Sequence, residues 1–259
     1  MKSYLRLAGF IAALVAAPIV VWASSRTVGQ VLVYDVLLTT QSPMPPGMPA
    51  FAQARFQEVN GKPIVFTLTA TVAAVDPDGS AHVNASFVNA AVAHYGHNIV
   101  DPASDFQGTL TPAGGLLPTY DPSIKPSTGP GGQLNMTPEI EKNTVAGSLT
   151  GRFDGFTAFA QGCGMQGTAK NGAWHLAAGP AYDRVNYTFT DSGSETVAGR
   201  SVRAVKMQGA LQTSGMSQTV VAGGHYDPAQ HVVVDFHSET HTTTARGPSS
   251  EIIDYKLRP

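Results

Sequence analysis

From residue 62 onward, apolar and polar side chains trade places with a period of two. In IVFTLTATVAAV, residues 64–75, the even positions Ile64, Phe66, Leu68, Ala70 and Val72 are apolar, and Thr67, Thr69 and Thr71 stand between them. Successive side chains of a strand point to opposite faces, so the pattern predicts a strand with one buried face. Asp76-Pro77-Asp78-Gly79 follows as a turn: proline presets the first central φ, and glycine supplies the left-handed position. AHVNASF then alternates again, and residues 62–88 read as a β-hairpin. The same reasoning predicts strands over about 28–40, 51–59, 105–111, 182–190, 201–213, 216–226, 230–244 and 251–257. A second Asp-Pro turn, at Asp227-Pro228, separates two of them.

Two stretches break the alternation. Residues 41–50, QSPMPPGMPA, carry four prolines and predict an extended loop. Residues 111–133, rich in proline and glycine, predict a longer one. A helix is predicted directly afterwards, over about 138–160. Thr137 can cap it, Pro138 fits the first helical position, and Glu139 and Glu141 suit its positive end. Val145, Leu149, Phe153 and Phe156 form one apolar stripe, and Gly162 is a natural stop. Gly147, Gly151 and Gly155 fall four apart on a neighbouring face. Each costs up to about 1 kcal/mol against alanine, which close approach of the helix backbone to another element would offset.

A helix stripe needs an apolar surface, and a sheet supplies one. The expected fold is therefore mainly β: a curved antiparallel sheet, a half-barrel, packed on one amphipathic helix in a single β-rich domain over residues 24–259. This organisation resembles the half-barrel of periplasmic lipoprotein carriers and of other exported bacterial proteins. The local features nearest to it are NGAWHL around Trp174 and the HYDPAQHVVVDF hairpin. The resemblance transfers no functional residues.

The N-terminus changes the picture further. Lys2 and Arg6 precede an apolar run from Leu7 to Trp22, and Val21-Trp22-Ala23 offers a cleavage site, so residues 1–23 read as a secretory signal peptide. The alternative, a retained anchor, is disfavoured by Pro18 inside a run at the short end of what spans a bilayer. After cleavage no transmembrane anchor is expected. Loss of Lys2 and Arg6 leaves 14 basic against 18 acidic residues, a net charge of −4. Such a chain is poorly suited to bind nucleic acid or anionic lipid by charge. Cys163, alone between glycines, excludes an intramolecular disulfide and reads as a buried, inert thiol.

Catalytic signatures are few. The sequence has no Gly-x-Ser-x-Gly, no P-loop and no His-Glu-x-x-His. Asp191-Ser192-Gly193 matches the aspartic-protease triplet but occurs once, and reads as an ordinary hairpin turn. His94 and His97 fall at a strand end, where residues three apart face opposite ways. The strongest candidate is HVVVDFHSETHTTT, residues 231–244. As a strand it sets His231, Val233, Asp235, His237, Glu239 and His241 on one face, with Val232, Val234 and Phe236 on the other. Zinc accepts such a mixture of nitrogen and oxygen donors, with His237, Glu239 and His241 as ligands and His225 supplied by a neighbouring strand. A solvated face needs no further ligand and is the simpler expectation.

Three functions follow: an exported, non-enzymatic protein binding lipid, another apolar ligand or an envelope partner; a metal-dependent hydrolase on residues 231–241; and a structural envelope or surface protein. N-terminal sequencing of exported material is expected to give Ser24. An intact Met1 in a membrane fraction would make the first segment an anchor.

Overall fold

The computed structural model describes residues 26–89, 105–124, 127–128, 134–135, 137–165, 172–178 and 185–259. Residues 1–25 and the His94–His97 pair lie outside the described residues. The elements run β1 (Val31–Gln41), α1 (Ala50–Val59), β2 (Pro63–Val75), β3 (Ala81–Asn89), β4 (Asp105–Leu110), β5 (Leu116–Pro118), β6 (Ser127–Thr128), β7 (Leu134–Asn135), α2 (Pro138–Gly164), β8 (Ala173–Ala178), β9 (Val185–Val197), β10 (Arg200–Gln212), β11 (Met216–Asp227), β12 (Val232–Thr244) and β13 (Gly247–Leu257).

Eleven strands form one open sheet in the order β5-β4-β3-β2-β1-β13-β12-β11-β10-β9-β8. Every pairing in it is antiparallel. The first strand lies beside the last, with Tyr34 opposite Leu257, so the two ends of the described chain make the middle of the sheet. The sheet does not close. Its edges, β5 and β8, come from the middle of the chain, and α2 joins them across the concave face.

Helix α2 begins as its sequence requires, with the Thr137 hydroxyl accepting from the Ile140 amide at 3.2 Å and Pro138 in the first turn. It runs past Gly162 to Gly164. Leu149, Phe153, Phe156 and Phe159 are buried. Phe153 meets Phe87 edge-on at 5.6 Å between ring centroids, Phe156 lies 4.7 Å from Tyr255, and Phe159 lies 5.0 Å from Phe236. Hydrogen bonds fix the helix between both edges of the sheet. The Thr157 hydroxyl donates to the Leu116 carbonyl on β5 at 2.7 Å, and the Trp174 indole on β8 donates to the Gly162 carbonyl at 2.7 Å. Near one end of the sheet the buried Arg26 guanidinium donates to the carbonyls of Gly79, Thr111, Pro112 and His231, drawing three strand connections together.

Four expectations need correction. Residues 51–59 are helical, not extended: alanine, glutamine, arginine and glutamate favour a helix, and the Pro49 carbonyl accepts from the Ala52 and Gln53 amides to start it. The stretch 111–133 includes β5, which pairs with β4, and β6. Asp191-Ser192-Gly193 lies inside β9 as a bulge: pairing with β10 passes from Asp191 to Gly193 and leaves Ser192 over. In β12, Val233 is buried although parity sets it with Asp235, because a bulge opposite His225 and Tyr226 leaves Val234 without a partner. β8 is an additional strand, too short for alternation alone to mark it.

Because Phe153 is fully enclosed at the centre of this aromatic packing, Phe153→Ala is expected to cost about 3–5 kcal/mol of unfolding free energy in denaturant titration. A loss under about 1 kcal/mol would show that α2 is a removable cover.

Candidate functional site

Helix α2 leaves part of the concave face uncovered. On the flank towards β8–β13 it bounds an open groove of about 840 Å³. That volume falls within the roughly 300–1,000 Å³ of small-molecule sites. The glycine face of α2 lines it. A side-chain carbon at Gly147 would sit 2.6 Å from the Tyr120 ring, so close approach explains that glycine. Gly151 has nothing within 4 Å, and Gly155 only the tip of Phe236 at 3.7 Å. Close approach explains neither of these two, and the open space at Gly151 gives the groove width.

Strand register sets the groove's polarity. Glu251 on β13 pairs with Thr240 on β12, Thr240 with Val220 on β11, Val220 with Gly209 on β10, and Gly209 with Tyr187 on β9. One row across the floor thus passes from polar to apolar. Leu211, Met216 and Val185 extend the apolar part, while Ser238 lies beside Ile253 near the polar part. Burial raises the Glu251 carboxyl's pKa, partly opposed by the positive charge of Arg152 on α2. Burial also raises that of Asp154, nearer Tyr187. A second cavity of about 760 Å³ beside the start of α2 is lined in part by Thr69, Asn84, Gln107 and Asn143.

The residues singled out in the His-rich strand lie on the opposite, outer face. His237, Glu239 and His241 are exposed, and Val232, Val234 and Phe236 are buried. His225 stands opposite Asp235, as an adjacent-strand ligand would. Its ring, however, meets Asp235 through Nδ1 at 2.8 Å and Glu195 through Nε2 at 2.8 Å. The His237 ring meets Asp254 through Nδ1 at 2.7 Å and Glu239 through Nε2 at 3.4 Å. Carboxylates on opposite sides of a ring do not converge with it on one ion. Among the described residues no group of three His, Cys, Asp or Glu side chains is arranged to hold a metal. Burial pushes the Cys163 thiol pKa up, which suits an inert side chain.

Sequence reasoning missed Glu195 and Asp254, which reach the histidines from other strands, and the groove residues Arg152, Asp154 and Glu251. No short motif marks them. The alternation within 251–257 was the signal that could have set the faces of Glu251 and Asp254.

An open antiparallel half-barrel wrapped on a helix, with an apolar groove left beside that helix, is the class of structure these features define. No family model matches the sequence, and no curated protein matches it. Among solved structures, the chain is similar to lipovitellin, in a study of its lipid–protein interactions, with a TM-score of 0.52 and 10% identity over 90% of this chain and 25% of that one. It therefore spans about a quarter of the lipovitellin chain's length, and at this identity the likeness is one of fold. A Bacteroides fragilis protein described as exported, with a YmcC-like fold, aligns over 87% of this chain and 95% of its own at 11% identity. Its TM-score of 0.30 is too low to carry an argument.

The outer-face histidines make a pH prediction. Partial burial pulls both imidazoles towards the neutral form, but hydrogen bonds that they donate to Asp235 and Glu195, and to Asp254 and Glu239, outweigh it and leave both pKa values raised. A raised folded pKa gives stability that is fully present below the unfolded value of about 6.5 and lost as pH rises through the folded value. A His225→Gln/His237→Gln variant is expected to melt below the wild type at about pH 5.5, with the gap narrowing by about pH 9. A gap independent of pH would mean that the imidazolium charges contribute nothing.

Proposed function

We propose that this protein is an exported, non-enzymatic binder of an apolar ligand, which it holds in the groove between α2 and strands β8–β13. One observation carries the reading. Gly151 sits inside a helix, at a cost of about 1 kcal/mol, and the space it leaves is the groove rather than a packed contact. The sequence supports export through its N-terminal segment, and among the described residues no helix is long and apolar enough to cross a membrane. The lipid–protein interactions studied in lipovitellin are in keeping with lipid as the ligand class.

The test uses the glycine itself. Gly151→Leu fills open space and removes a helix-weakening residue, so the variant should fold with equal stability or gain up to about 1 kcal/mol. It is expected to lose uptake of an apolar fluorescent probe that the wild type binds. Native mass spectrometry of the mature wild-type protein should show a retained lipid that the variant lacks. Equal probe binding by both proteins would refute the groove as the site.

A further inference from the structure

The groove is not apolar throughout, and its polar groups are specific. Ser238 is 3% exposed and lines the groove, and its hydroxyl has no hydrogen-bond partner among the described residues. Its hydroxyl therefore has a donor and two acceptor positions open to a ligand atom in the groove. Thr240 and Glu251, paired across β12 and β13 beside it, likewise make no side-chain hydrogen bond among the described residues. Arg152 faces this end from α2, near enough for its charge to act on Glu251. The other end, across β9–β11, presents Tyr187, Leu211 and Val220.

Resting on the groove-binding reading, we propose that the ligand is an amphiphile with an uncharged, hydroxyl-bearing head. The head lies among Arg152, Ser238, Thr240 and Glu251, and the hydrocarbon chain runs along β9–β11. The charge pattern selects this chemistry. A carboxylate or phosphate head would suit Arg152 but meet the Glu251 carboxyl, and an ammonium head would suit Glu251 but meet Arg152. Asp154, also on the groove, adds a second carboxyl against an anion. Each hydroxyl donates one hydrogen bond and accepts two, so a head with two of them can satisfy the guanidinium, the two hydroxyls and the carboxyl together.

The experiment titrates the purified mature protein, at neutral pH and below micelle formation, with three compounds sharing a dodecyl-length chain. These are 1-monododecanoylglycerol, dodecanoate and dodecyltrimethylammonium, each read by displacement of an apolar fluorescent probe. The glycerol ester is expected to displace the probe at concentrations at least about tenfold lower than either charged compound. Ser238→Ala and Glu251→Gln should each weaken the ester about fivefold, as loss of an ordinary hydrogen bond would, while cooperative melting and a wild-type circular dichroism spectrum show that both variants are folded. Equal or stronger displacement by a charged compound, or variants that bind the ester like wild type, would overturn the head assignment while leaving the groove reading in place. Failure of the wild type to bind the probe at all would overturn both.

Discussion

A sheet that curls without closing leaves its concave apolar face to be covered by something else. Here the cover is the ring packing of Phe153, Phe156 and Phe159 from α2 against Tyr255, Phe236 and Phe87 of the sheet. Edge-to-face and tilted ring contacts add to the area they bury, and they fix the helix at one rotation about its axis. That rotation decides which face of α2 looks along the open side. With the phenylalanines locked inward, Gly151 has only the groove to face.

The two faces of the sheet divide the chemistry. On the inner face, scattered polar groups lie among apolar ones, and burial raises the pKa values of the Glu251 and Asp154 carboxyls. On the outer face, charges occur in quantity and neutralise one another across strands. His225 lies between Glu195 and Asp235, His237 between Asp254 and Glu239, and Arg258 holds Asp35 at 2.6 Å. Exposed pairs of this kind contribute little each. Together they give a broad sheet a surface on which β9 and β11–β13 are cross-linked by side chains as well as by the backbone.

Much of the frame was legible because it depends on local pattern. The threonine alternation in β2, the Asp-Pro turns and the Thr137-Pro138 start of α2 each act within a few residues, and the structure has them where the pattern puts them. Residues 51–59 misled because a short segment of mixed polarity fits either period, and propensity then decided for a helix. Val233 misled because a bulge shifts parity and leaves no mark in the sequence. The glycines of α2 were visible as a stripe, but their purpose was not: close approach explains Gly147, and open space explains Gly151. Which carboxylates meet His225 and His237 depends on how distant strands align, and spacing within one strand carries no information about that.

The pairing of β1 with β13 has a consequence for how the molecule comes to exist. The strands at the centre of the sheet are the first and last of the described chain, and Arg26 donates to a carbonyl 205 residues away. Non-local contacts of this kind carry a loop-closure cost before they return any stability, which places such folds among the slower ones. A chain made or threaded from its N-terminus therefore cannot complete its sheet until the final strand is free. Up to that moment β1 has β2 on one side and an unpaired edge on the other. The architecture thus keeps an incomplete chain unfinished and exposes it to aggregation if the last described strand is delayed.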